Sequence, residues 1–164
     1  KLSGEILIKT YNQVFDLPYT IIRPSALYGE RCVSRRVGQI FIENALQDKV
    51  INIKGDGEDR LDFTYIDDFV QGVKLSLEKK GAINETFNIT YGSSRTIKDM
   101  YNILSKEFKN LNVKFEEREK LMPKRGTLNV DKAKKLIDYK PSFALDKGYI
   151  QYIAWYKNYY KLNF

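Results

Sequence analysis

Short β-branched runs, each followed by a stretch with helical spacing, constrain this chain more than any other feature. Residues 19–22, 50–53, 61–65, 86–89 and 113–116 read as strands, rich in Val, Ile, Thr, Phe and Tyr. Between them the apolar residues recur at helical intervals, as in Leu7, Tyr11, Val14 and Phe15 of a helix over 2–16. The same spacing predicts helices over 38–46 and 131–138. Ile66, Phe69, Val70, Val73 and Leu77 form a third such face, and Ile97, Met100, Tyr101, Leu104 and Phe108 a fourth. Strands this short bury little by themselves, so the helices must cover them. Alternation of the two gives an α/β class.

Local chemistry punctuates the pattern. Pro18 pushes Leu17 out of the helical region and ends the first helix. Gly55-Asp-Gly57 is a turn. Asp67 or Asp68 is expected to cap one helix while the other carboxylate orders the preceding loop, a structural role for the pair. Thr96 with Asp99 three residues on is a variant capping box. The terminal segment 146–160 carries Tyr149, Tyr152, Ile153, Tyr156 and Tyr160 at helical spacing, which marks packing rather than a stacking platform.

Composition removes several functions. The chain has 164 residues, the length of one domain, and no histidine. Its single cysteine, Cys32, precludes an internal disulfide and fits a reducing compartment. Without histidine, neither the usual zinc sites nor a His general base can be built from these residues, so a metal-free site is expected. No run approaches the roughly 18 apolar residues of a membrane span, and no segment reads as a signal peptide. A cytoplasmic protein is the expectation. The net charge of +7 comes from lysines dispersed among acids, which fits solvated helix faces and not a nucleic-acid stripe.

Three segments carry chemistry in a fixed order: Lys1-Leu-Ser-Gly-Glu5, Arg23-Pro-Ser-Ala-Leu-Tyr-Gly29, and the run Gly55-Asp-Gly-Glu-Asp-Arg-Leu-Asp-Phe-Thr-Tyr-Ile-Asp-Asp68. Together with Pro123-Lys-Arg-Gly-Thr-Leu128 and Tyr139-Lys-Pro141 they resemble the C-terminal half of the extended short-chain dehydrogenases/reductases, the NAD-dependent epimerases and dehydratases of nucleotide sugars. The resemblance covers nearly the whole chain. It implies the C-terminal part of a Rossmann-type fold with its small α/β substrate-binding domain, the N-terminal dinucleotide-binding half being absent from residues 1–164. No G-x-G-x-x-G occurs, and the chain does not begin with Met, which suggests a piece of a longer protein.

The resemblance also implies roles. Lys1 looks like the lysine of a Tyr-x-x-x-Lys motif, catalytic and cofactor-binding at once. It would hydrogen-bond the nicotinamide ribose of NAD or NADP and lower the pKa of a tyrosine that must act as base. Pro24 and Ser25 would meet the nicotinamide end. Ala26 stands where many members carry a substrate-facing Asn, so a copied substrate assignment loses weight there. Arg60 and Arg125 look like the two arginines that grip the diphosphate of a nucleoside-diphosphate sugar, a task suited to a planar guanidinium fork. Asn88 occupies a position that can approach the phosphates, with structural capping as the alternative. Cys32 has no supported role.

The expected activity is therefore epimerisation or dehydration of a nucleoside-diphosphate sugar through a 4-keto intermediate, with epimerisation favoured and a homodimer paired through the first helix. The residues alone name neither the sugar nor the choice between NAD and NADP. The chain by itself is expected to be inactive. The rival expectation is a non-catalytic lobe that binds sugar nucleotides or serves in dimer contacts.

Overall fold

A computed structural model describes residues 1–163, and the side chains of residues 1–161. Its elements are α1 (Leu2–Phe15), β1 (Thr20–Pro24), β2 (Leu27–Tyr28), α2 (Val37–Leu46), β3 (Ile51–Lys54), β4 (Arg60–Leu61), β5 (Thr64–Tyr65), α3 (Ile66–Glu78), a 3-10 turn (Lys80–Ala82), β6 (Glu85–Ile89), β7 (Arg95–Thr96), α4 (Ile97–Glu107), β8 (Val113–Glu116), α5 (Asp131–Ile137) and α6 (Leu145–Asn163). The α/β class is as the alternation predicts. Parallel pairs join β1 to β6, β2 to β5 and β3 to β8, and β4 pairs antiparallel with β7.

The expected strand over 61–65 is two strands. Asp62 separates them because its side chain is fully buried and wanted elsewhere. Its Oδ1 accepts from the Gly92 N–H at 3.0 Å, and its Oδ2 from the Thr90 hydroxyl at 3.0 Å and the Leu128 N–H at 3.0 Å. The chain bends there, sending β4 toward β7 and β5 toward β2. Asp62 thus ties the turn after β6 and the segment before α5 to one point.

The Asp67-Asp68 reading needs correction. Tyr65 is the N-cap of α3, and no side chain caps that end. Asp68 is buried and accepts from the Ser142 N–H at 2.8 Å and the Phe143 N–H at 2.9 Å, so it orders a segment far along the chain and not the preceding loop. The Thr96 box is present in full: Asp99 N–H donates to Thr96 Oγ1 at 2.9 Å and Thr96 N–H to Asp99 Oδ2 at 3.0 Å.

Two apolar clusters result. The larger gathers α2, β3, β5, α4 and α6 around Phe41, Ile53, Tyr65, Leu104 and Tyr152. Tyr149, Tyr152, Ile153 and Tyr156 are buried there, so the terminal stripe is packing. The smaller joins β6, α3 and α5 around Phe87, Ile89, Ile137 and Tyr139. Helix α1 stands apart: none of its residues is buried. Glu5 pairs with Arg23 and Asn12 bonds Asn84 at 3.3 Å, while Leu2, Val14 and Phe15 stay 70%, 65% and 61% exposed.

Candidate functional site

Two hollows meet on one side of the molecule. The first, about 370 Å³, lies between α2 and β3, closed by the segment after β8. Ile40 and Phe41 give it an apolar wall, with Ile97 and Pro123 opposite, and Asn52 and Lys54 come from β3. The second, about 630 Å³, opens where β1 ends, on Lys1, Pro24, Ser25 and Ala26, with Arg36 and Leu128 on its sides. Val37, Leu61 and Arg125 line both, so the hollows are neighbours that share Arg125.

The placement follows from local structure. Parallel pairing of β1 with β6 puts the C-terminal end of β1 at the mouth of the second hollow, the end where open α/β folds receive ligands. The chain then turns through Ala26 at φ 37°, the left-handed region that Asn adopts more readily than Ala. Backbone geometry thus supplies a reason for Asn at such a position beyond any contact it makes. Helix α2 starts at Val37, which lines both hollows together with Arg125, and its first N–H groups have no helical acceptor. That end favours anions. Gly38 packs closely there: a Cβ would stand 3.2 Å from the Tyr149 ring and 3.3 Å from Met100, a tight fit.

The cations differ in how far they are committed. Arg60 donates from Nε to Ser94 Oγ at 3.1 Å and from Nη2 to the Ser94 carbonyl at 2.5 Å, leaving Nη1 unpaired among the described residues. Lys54 pairs with Glu119. Arg125 is exposed and has no hydrogen-bond or ion-pair partner among the described residues. No carboxylate lines the second hollow among those residues, while Lys1, Arg36 and Arg125 do. Such a site suits a polyanion with an apolar end. Tyr28 in its wall is not a base: burial pushes its hydroxyl far above the ordinary tyrosine pKa, and the group is unpartnered among the described residues.

Lys1, Pro24, Ser25, Ala26 and Arg125 therefore meet in one hollow, and Arg60 lines the adjoining one. Asn88 lies elsewhere. It lines a separate surface hollow with Lys9 and Lys132, and its amide donates to the Asn129 carbonyl at 2.9 Å. Asn88 is thus not gathered into the two hollows with Arg60 and Arg125. Sequence reasoning missed Arg36, although its place at the end of an arginine-bearing loop just before a helix was a usable signal. It also missed Ser94 and Thr127, whose hydroxyls meet at 2.9 Å beside Arg60. No group of three or more His, Cys, Asp or Glu side chains suited to a metal occurs among the described residues.

Comparison with known proteins bears on the family and the fold. The family model described as the NAD dependent epimerase/dehydratase family matches residues 1–90. An uncharacterized UDP-glucose epimerase, YtcB of Bacillus subtilis, is 31% identical over 98% of this chain and 51% of its own length. UDP-glucuronate 4-epimerase 1 of Arabidopsis thaliana is 32% identical over 99% of this chain and 42% of its own. The crystal structure of UDP-glucuronic acid 4-epimerase from Bacillus cereus, in complex with UDP-glucuronic acid and NAD, superposes with a TM-score of 0.89. It is 33% identical, over 97% of this chain and 51% of that one. The chain thus spans about half the length of the relatives it matches. On the family-model match over more than half of its residues, this chain belongs to the NAD dependent epimerase/dehydratase family.

Proposed function

We propose that these residues form the nucleotide-sugar-binding part of a nucleoside-diphosphate-sugar 4-epimerase that uses NAD. The observation that carries this reading is the sharing of the uncommitted Arg125 by an apolar hollow on one side and the Lys1 hollow on the other. The nucleoside would lie against Ile40 and Phe41, the diphosphate at Arg125 and Arg60, and the hexose beyond, toward Lys1. The relatives support a UDP-linked hexose or hexuronic acid.

The residues present fit the nicotinamide end of the cofactor and no more. Lys1 brings to the rim beside Pro24 and Ser25 an ammonium that is unpaired among the described residues, whereas no glycine-rich pyrophosphate cradle occurs in the chain. When bound there, NAD supplies a hydride acceptor for the hydrogen on the sugar's C4. Lys1 would hold the ribose hydroxyls and would stabilise the anionic form of a tyrosine supplied from outside these residues, so that it could accept the hydroxyl proton. Arg60 and Arg125 would anchor the diphosphate and leave the hexose free to turn within the hollow. The exposed apolar side of α1 is covered in the working protein, including by a second copy.

The test uses the complete protein, NAD, and UDP-glucose or UDP-glucuronic acid. Epimer formation is expected, with Lys1→Ala abolishing it while UDP affinity stays within about twofold. A wild-type rate in Lys1→Ala would refute the role of Lys1. UDP binding without turnover by the wild-type protein would favour a sugar-nucleotide-binding lobe.

A further inference from the structure

Arg118 belongs to none of the motifs, yet its guanidinium is the most heavily committed near the hollows. It follows β8 and donates from Nε to both carboxylate oxygens of Asp59, at 3.2 and 2.9 Å. From Nη2 it donates to the Met122 carbonyl at 2.8 Å, and from Nη1 to the Glu119 carbonyl at 3.4 Å. One side chain therefore joins the residue next to Arg60 with two carbonyls of the turn that follows β8.

The far end of the same segment is fastened as well. Thr127 Oγ1 accepts from the Ser94 N–H at 2.9 Å, and Ser94 is the residue that holds Arg60. Between these anchors lie Met122, Pro123 and Arg125, all lining the first hollow. The segment contributes little to the core: Leu121 is 96% exposed, and no residue from 117 to 129 is buried. Its ordered course serves the hollow more than the packing. The Arg118–Asp59 pair is itself shielded, at 29% and 26% side-chain exposure, which sets it apart from surface pairs of small effect. The Asp59 backbone is fixed in turn, its carbonyl accepting the Ile97 N–H at 3.1 Å.

We propose that Arg118 is a positioning residue that, through Asp59, pins the segment between itself and Thr127 over the first hollow and so aims Arg125 at the ligand's diphosphate. The inference rests on the reading of these hollows as a nucleotide-sugar site. Arg118 does not touch the ligand in this account: it lines neither hollow, and each of its three nitrogens already donates to Asp59 or to a turn carbonyl.

The experiment is a double-mutant cycle read by calorimetric titration of UDP into the complete protein, with a thermal melt of every variant. Arg118→Ala is expected to weaken UDP binding at least tenfold. Asp59→Asn, which keeps the side chain's size, should do the same and carries the test if Arg118→Ala does not fold. In an Arg125→Ala background either change should cost less than twofold more, since the residue it positions is gone. A merely structural role would give independent losses that multiply. Multiplying losses, or unchanged affinity in both single variants, would overturn the proposal while leaving the nucleotide site standing. Failure of the wild-type protein to bind UDP would overturn the site and the inference together.

Discussion

Replacing Asp62 by Ala tests whether one buried carboxylate holds the site's frame together. The side chain is fully buried and receives two backbone N–H groups, from Gly92 and Leu128, and the Thr90 hydroxyl. The hydroxyl can rotate toward another acceptor; the two N–H groups cannot. Gly92 and Leu128 are only half-buried, so each unpaired N–H costs near the low end of about 1–3 kcal/mol, and the two together cost about 2 kcal/mol. For a chain of this length that is a fall in Tm of roughly 6 °C, at about 3 °C per kcal/mol. Asp62→Asn keeps one acceptor oxygen but turns an NH₂ toward a donor, and should lose roughly half as much. Urea unfolding at neutral pH with unchanged m-values is the assay, since m reports the surface exposed. A loss under about 1 kcal/mol in Asp62→Ala would refute the reasoning. It would mean that Gly92 and Leu128 find other partners and that Asp62 does not set the bend.

In UDP titrations, Arg125→Ala and Arg60→Ala should each weaken binding by about 2 kcal/mol, near thirtyfold, as expected for a lost charged hydrogen bond; unaltered affinity in both removes the phosphate clamp. Acid should destabilise the fold in part through Asp99, whose carboxyl is held below its ordinary value of 3.8, first by Arg95 and then by the Thr96 N–H. A lowered folded pKa contributes stability above the unfolded value and loses it as pH falls through the folded one. Asp99→Asn should therefore narrow the Tm difference between about pH 6 and pH 3, and an unchanged difference would contradict the capping-box account. Tyr149→Phe should cost about 1 kcal/mol, because its hydroxyl donates to the Gly38 carbonyl at 2.9 Å. Tyr28→Phe should be near neutral, because its buried hydroxyl has no partner among the described residues; equal losses in the two variants would contradict that distinction.

Local signals made much of the fold legible. The α4 face, the Thr96–Asp99 box and the α6 stripe are set by spacing within one helix, and each is where the sequence places it. What was not legible depends on distant partners. The two-residue strands β2 and β7 are too short to show a period, and they exist because β5 and β4 pair with them. Asp68 reads as a helix-end carboxylate, but its acceptor capacity is taken by Ser142 and Phe143, more than seventy positions away. Helix α1 has an amphipathic pattern and buries no residue, since nothing among the described residues covers that face. At the site, Lys1, Pro24, Ser25, Ala26 and Arg125 were visible through motifs. Arg118 was not, because its meaning lies in an ion pair to Asp59, 59 positions away along the chain.

The most direct test of the account is a crystal structure of the complete protein with UDP-glucose. The diphosphate should lie on the Arg125 guanidinium beside the start of α2, with the uridine against Phe41 and the hexose pointing toward Lys1. A nucleotide bound in the opposite direction, or seated on the Lys9 and Lys132 surface hollow, would contradict it.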